Sequence, residues 1–317
     1  MTTGASSPAS SSEESCISMA KYEHVVTEEE VGNTINTILR LNYRFSSRFR
    51  TKMKYQQLVD LNGTPTPGYI RPAAGDIIGV RLPEETSDFE PEDIPLDIIY
   101  EDEDLMIVSK QPGVIVHPTK GHPTHTIANG VMKYMSDTGQ SFKVRFANRI
   151  DMDTTGIIIV AKNANAQNDI SSQMRRSTVV KKYKALVEGI IKEDHFTIDL
   201  PIGRPTQESI QRIVMDEGKE AVSEVRVLER YSSEKYGPHT LLEVTLHTGR
   251  THQIRVHLSH IGHPIAGDVL YGGKTDLMEH QALHAYYIEF DHPHTKERVS
   301  FEAPIHCDMA EAIEKLK

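Results

Sequence analysis

The sequence predicts an α+β protein, a large, mainly antiparallel mixed sheet with flanking helices, preceded by a small α+β module. Three observations lead there. Apolar runs of strand length recur from Leu105 to Leu246, helical spacing is confined to a few segments between them, and the two do not alternate as a βαβ array would. The chain has 317 residues, 38% hydrophobic and 25% charged, which suits two folded units with sizeable cores and excludes a largely disordered chain. An acidic, Pro-containing stretch separates the two patterned regions.

Residues 1–20 are Ser, Thr, Glu and Gly with few apolar side chains and read as a disordered tail. The small module is expected over 21–83. Val31, Ile35, Ile38 and Leu39 recur at helical spacing between Glu28 and Leu41, and the basic stretch after them reads as a second, cationic helix. Asn62-Gly63 signals a hairpin, and Gly75-Asp76 turns the chain into the strand-like run Ile77 to Leu82. Residues 84–98 form the acidic linker, and a larger domain is expected over 99–317. Within it, Leu105 to Val108 reads as a strand, Pro112-Gly113 as a turn into a second run at Val114 to Val116, and Ile157 to Ala161, Tyr183 to Val187 and Leu242 to Leu246 as further strands. Ile254, Leu258 and Ile261 make a helical stripe that Gly262-His263-Pro264 ends.

No apolar stretch approaches the ~20 residues of a membrane span, and the N-terminus lacks a basic end followed by an apolar run, so a cytoplasmic protein is expected. Two cysteines, Cys16 and Cys307, supply neither a disulfide framework nor a zinc-finger spacing. The net charge of −10 argues against a polyanionic partner until its distribution is considered. Glu84 to Asp104 holds eleven acids and no Lys or Arg, whereas Leu41 to Tyr55 holds Arg44, Arg48, Arg50, Lys52 and Lys54 and no acid. A second basic cluster is Arg175, Arg176, Lys181, Lys182 and Lys184. Two basic faces are thus hidden in the average, and a nucleic-acid partner stays open.

Two stretches are dense enough to carry chemistry. Asn148-Arg149-Ile150-Asp151-Met152-Asp153-Thr154-Thr155-Gly156 is a turn-forming acidic segment placed just before the apolar run Ile157 to Val160, which puts a carboxylate at the rim of a core strand. The other is Gly249-Arg250-Thr251-His252-Gln253-Ile254-Arg255, where Arg255 flanks the helical stripe and can hold a carboxylate in a two-pronged pair, with Asp151 the candidate partner. Taken singly, an Asp-x-Asp turn is more often a loop and a flanking Arg more often structural. His252, His257, His260 and His263 invite a metal reading, but His252 and His257 are five apart and no acid lies between Gly249 and Gly267. A phosphatase-type Asp-x-Asp-x-Thr would follow a strand, whereas here the strong strand comes after the aspartates. Neither a Gly-x-x-x-x-Gly-Lys phosphate loop nor a Gly-x-Ser-x-Gly elbow occurs.

From about Ile99 to Pro304 the chain resembles the RluA-type pseudouridine synthases, with four matches in the family's order. They are Tyr100-Glu101-Asp102 through Lys110-Gln111-Pro112-Gly113-Val114 and His117-Pro118; Arg149-Ile150-Asp151 through Thr154-Thr155-Gly156; Lys181-Lys182-Tyr183 through Gly189; and Gly249 through Arg255, continuing to Gly267-Asp268, Leu270-Tyr271-Gly272 and Leu283-His284-Ala285. Residues 28–82 resemble, more weakly, the small RNA-binding fold of a small-subunit ribosomal protein. Asn148 stands where the family has His, a change expected to touch loop packing, and the module lacks the Arg-Leu-Asp start of its first helix.

The resemblance implies a pseudouridine-synthase-type catalytic domain that isomerises uridine in RNA without metal or organic cofactor, and a monomer. It implies that Asp151 meets the ribose anomeric carbon, that Tyr183 stacks on the base and takes part in proton transfer, and that Arg255 pairs with the nucleophile. Asp153 is then structural. Arg149 would fill the gap left by the flipped nucleotide, Leu283 would wall the uracil, and Arg175, Arg176, Lys181 and Lys182 would meet phosphates, with Arg44, Arg48 and Lys52 gripping RNA farther off. Ribosomal RNA of the large subunit is the expected partner. The alternatives are transfer RNA, or an inactive RNA-binding or ribosome-assembly factor.

Overall fold

The computed structural model describes residues 21–43, 45–83, 85–119 and 121–317. The tail expected at 1–20 and the candidate Arg44 lie outside the described residues. The chain divides after Pro83 into two compact units.

The smaller unit runs β1 (Tyr22–Val25), α1 (Ile35–Asn42), α2 (Ser47–Tyr55), β2 (Val59–Leu61), β3 (Thr64–Pro65) and β4 (Ile77–Val80), its strands ordered β1-β4-β2-β3 and all antiparallel. Asn62 and Gly63, with φ of 51° and 79°, make the expected hairpin turn. The helix expected from Glu28 is broken instead. A 3₁₀ turn covers Glu28–Glu30, Gly32 takes φ 89°, and Thr34 then caps α1 by accepting the Thr37 N–H. Three consecutive glutamates bury nothing, so only the stretch carrying Ile35, Ile38 and Leu39 joins the core and propagates. Phe49 and Met53 anchor α2 while Arg48, Arg50 and Lys54 stay exposed.

The larger unit is built on a ten-stranded sheet. It comprises β5 (Asp97–Glu101), β6 (Leu105–Lys110), α3 (Ile127–Thr138), β7 (Arg145–Phe146), β8 (Thr155–Ala161), α4 (Ala164–Arg175), β9 (Val180–Glu188), β10 (His195–Asp199), β11 (Ile202–Gly203), β12 (Ile213–Val214), β13 (Val222–Ser233), β14 (Gly237–Leu246), α5 (Gln253–His260), β15 (Leu283–Asp291), β16 (Arg298–Glu302) and α6 (Cys307–Leu316). The order is β10-β13-β14-β9-β15-β8-β6-β5, with β16 on β15 and β7 on β8, while β11 and β12 pair separately. Among the described strands only β8 and β15 run parallel. The continuous apolar reading of β6 and β8 has a simple cause: Leu105, Ile107, Ile157 and Ile159 face a core closed by Ile170 of α4, while Met106, Val108, Ile158 and Val160 face one closed by Ile127 and Val131 of α3. With both faces covered, the two-residue alternation vanishes from the sequence.

Two expectations change. Val114 to Val116 forms a single bridge, Ile115 to Thr126, and no strand. The acidic stretch expected as a linker over 84–98 lies along the larger unit in its described part. Ser87 Oγ accepts the Val144 N–H at 2.9 Å, Glu92 accepts the His125 N–H at 2.9 Å, Glu85 pairs with Arg145, and Phe89 packs edge-on against His117. Phe89, Ile94 and Leu96 supply the apolar anchors that acidity masked, and β5 already begins at Asp97. Among the described residues no helix is long and apolar enough to cross a membrane.

Candidate active site

The loop before β8 is fixed at both ends. Asn148 donates to the Ile157 carbonyl at 3.0 Å and accepts the Ile159 N–H at 2.7 Å, so its amide extends the ladder beside β8. Its role is loop packing, as expected. Thr154 N–H closes the turn on the Asp151 carbonyl, and Thr155 Oγ1 lies 2.8 Å from His284 Nδ1. Gly156 is required. Its φ is 105°, and a Cβ there would sit 2.3 Å from the Ala285 carbonyl oxygen, where the two parallel strands touch. Beneath the loop lies Lys110, fully buried, whose Nζ donates to the Gln111 and Met152 carbonyls at 2.8 and 2.5 Å. Burial pulls this lysine down to about 7 despite the nearby charges of Asp153 and Asp151.

Arg255, in the first turn of α5, faces that loop. Its Nη1 donates to Asp151 Oδ2 at 3.0 Å, while Nε and Nη2 donate to Asp268 Oδ2 and Oδ1 at 2.7 and 2.8 Å. The guanidinium is thus a fork held by one acid and presenting its last edge to another. It is 7% exposed, and Asp268 is 1% exposed. Burial opposes the Arg255 charge, but the bonds to Asp268 and the charge of Asp151 outweigh it and raise its pKa. Gly267 brings Asp268 in, since its φ is 80° and a Cβ would lie 2.0 Å from the His280 carbonyl oxygen.

Gln253 pins the preceding turn with a fully used amide. Its Oε1 accepts from Thr248 Oγ1 and the Arg250 N–H, and its Nε2 donates to the Val222 carbonyl and Ser223 Oγ, all at 2.8 to 3.0 Å. Between them His252 is left-handed at φ 60°.

Asp151, Arg255, Tyr183, Leu283 and Arg149 share one open cleft of about 380 Å³, solvent at its mouth included, with Ile150, Thr154, Leu246, Arg250, His252, Gln253 and Ile254. Burial, then the Asp151 charge, raises the Tyr183 pKa, so its hydroxyl stays protonated. Arg149 is exposed at the rim. The basic cluster divides by strand period. Lys181 alternates with Tyr183 on the cleft side of β9, whereas Lys182 points to the other face, 3.8 Å from Glu243 and over the Tyr287 ring. Lys181 and Lys182, both expected near phosphates, thus lie on opposite faces of β9. Arg175 and Arg176 are exposed at the end of α4, and Arg48 and Lys52 belong to the smaller unit.

Reading the sequence missed Asp268, Tyr271, Lys110 and the use of His252. Asp268 carried a signal, a glycine before an acid in an otherwise acid-free stretch. His257 serves the core, 2.9 Å from Ser223 Oγ and the Leu200 carbonyl, and His263 lies 2.9 Å from the Glu188 carbonyl.

Residues 104–260 match the family model described as RNA pseudouridylate synthase. The chain is 42% identical to the Bacillus subtilis protein YlyB, titled an uncharacterized RNA pseudouridine synthase, over 94% of this chain and 99% of that one. The chain belongs to the RNA pseudouridine synthase family. The synthase is also 40% identical to ribosomal large subunit pseudouridine synthase D of Pseudomonas aeruginosa, over 68% of this chain and 69% of the relative. Among solved structures it is similar to human RNA pseudouridylate synthase domain containing 1, with 29% identity and TM-score 0.56 over 69% of this chain and 86% of that one. The synthase is an RNA-modifying enzyme, an isomerase of uridine. The matched stretch takes in Asp151, Tyr183 and Arg255, whereas Asp268, Tyr271 and Leu283 lie beyond it.

Proposed function

We propose that Asp151 is the nucleophile of this synthase and that its substrate is a uridine of large-subunit ribosomal RNA. The observation that carries the first part is the Asp151–Arg255–Asp268 chain at a cleft that also holds Tyr183. Arg255 takes Asp151 Oδ2, leaving Oδ1 for the sugar. The C1′–N1 bond breaks as Oδ1 bonds to C1′, where positive charge develops as in glycoside hydrolysis. The detached uracil turns, C5 bonds to C1′ and displaces the carboxylate, C5 loses its proton, and N1 gains one. No group is lost or added, in keeping with an isomerisation.

Tyr183 stacks on the base, and its protonated hydroxyl serves proton transfer. Leu283 walls the uracil, and Arg149 fills the gap left in the stack. Lys181, whose pKa is lowered by burial and then by neighbouring Arg250, makes with that arginine a cationic pair suited to a flanking phosphate. Arg175 and Arg176 meet the backbone farther along, and Arg48 and Lys52 of the smaller unit grip a distant part of the same RNA. The ribosomal target follows relatives named for the large subunit.

Tritium release from RNA labelled at uridine C5, taken from cells lacking the protein, tests the reaction, and mapping pseudouridines in those cells tests the target. Release by the wild type, with the missing site in large-subunit RNA, is expected. Release abolished in no Asp151 variant would overturn the nucleophile, and a missing site in transfer RNA would overturn the target.

A further inference from the structure

His252 has a role that neither the ion-pair chain nor the stacking tyrosine accounts for. Its ring lies in the cleft, and its Nδ1 is placed by a neighbouring hydroxyl. The Arg212 backbone N–H donates to Tyr271 Oη at 2.9 Å, so this hydroxyl is already an acceptor. Its own hydrogen is then free for His252 Nδ1, 2.8 Å away. An Nδ1 that accepts leaves the proton of a neutral ring on Nε2. That Nε2 lies 3.8 Å from Asp151 Oδ2, beyond hydrogen-bond reach, and among the described residues no acceptor is bonded to it. The result is an N–H donor aimed beside the reacting carboxylate.

Two further observations agree. His252 adopts a left-handed backbone that favours glycine, at a cleft, where such strain is retained when it aims a side chain. The ring is also kept neutral: burial lowers its pKa, as do Arg255 and Arg212, against the opposing charges of Asp151 and Asp268. The rings of His252 and Tyr271 meet edge to face at 5.6 Å, and Tyr271 lies under the Arg255 guanidinium, so one packed unit sets nucleophile, arginine and imidazole together.

We propose that His252 is a further catalytic residue, a neutral donor whose Nε2–H meets uracil O2 as the base departs from C1′. This rests on Asp151 acting at C1′. O2 is two bonds from N1 and gains negative charge as the C1′–N1 bond breaks, so the bond to it strengthens in the transition state. The imidazole gives up no proton, and Tyr271 is a positioning residue that fixes its tautomer.

The test is a cycle of enzyme and substrate changes, with release measured on an oligonucleotide carrying the mapped uridine or its 2-thio analogue. His252→Leu is expected to lower kcat by about 10²-fold with KM little changed, and His252→Gln, whose amide N–H reaches a similar position, to recover about tenfold. The 2-thio change should slow the wild type and leave His252→Leu unaffected. Equal slowing of both enzymes, or full activity of His252→Leu, overturns the proposal. Nitrogen-15 spectra of labelled histidine give a readout independent of RNA: a neutral Nε2–H ring at pH 7 is expected, with the preference lost in Tyr271→Phe. An Nδ1–H ring or an imidazolium would overturn it. A wild type without release from any cellular RNA would sink the reading of Asp151 and leave the tautomer result standing.

Discussion

The cleft and helix α2 both present guanidinium groups, and they use them in opposite ways. In the cleft Arg255 is 7% exposed and every edge of its fork is assigned, two positions to Asp268 and one to Asp151. On α2, Arg48 and Arg50 are exposed and project from a helix whose buried face is only Phe49 and Met53. A buried charge costs desolvation and persists only with fixed partners, so geometry is its contribution. An exposed charge keeps its water and counterions, so its contribution to RNA binding is the release of those counterions, additive and sensitive to salt. One region is therefore intolerant of single atoms, the other of lost net charge.

Perturbing each region in turn separates these two behaviours. Asp151→Asn keeps shape and removes the proposed nucleophile, and turnover should fall by about 10⁴-fold while RNA affinity stays near the wild type. Arg255→Lys keeps the charge but not the fork, and turnover is expected to drop by about 10²-fold. If lysine served as well, geometry would not be what this cation supplies. Lys110 tests the same idea through pH. Below pH 7 the buried lysine is charged in both states and its penalty is complete. Between about 7 and the ordinary 10.5 only the unfolded chain keeps the proton, so stability rises with pH. Urea unfolding of the wild type against Lys110→Met across this window should differ by about 4 kcal/mol in that rise, and parallel curves would refute the burial account. The smallest effect belongs to α2: Arg48→Ser with Arg50→Ser should leave turnover on bound RNA intact and reduce the slope of log affinity against log salt by about 1 to 2. An unchanged slope would remove the helix from the RNA path.

Much of the fold is legible in the sequence. Strand runs at 105–108, 157–161, 183–187 and 242–246, the Asn-Gly hairpin and the helix stripe from Ile254 are local patterns of period and turn chemistry, and the fold keeps them. The loop of Asp151 was legible because a core strand must begin directly after it. The division of Lys181 from Lys182 was readable too, since a strand that turns Tyr183 inward turns Lys181 with it. The early start assigned to α1 failed because its glutamates have no core partner, and the strand at Val114 to Val116 because that run, although Val116 is buried, pairs only through the Ile115–Thr126 bridge.

What the chain by itself determined was where the candidates Asp151, Tyr183 and Arg255 lie and on which kind of element each sits, because local patterning is written over a few neighbouring residues. Tertiary structure alone decided that Asp268 holds the arginine, that Lys110 lies beneath the loop and that a tyrosine hydroxyl orients His252. These contacts join residues 13, 42 and 19 positions apart, and Arg255 reaches Asp151 across 104. Burial and pairing at such separations are set by how the sheet and α5 pack, and packing is a property of the whole fold.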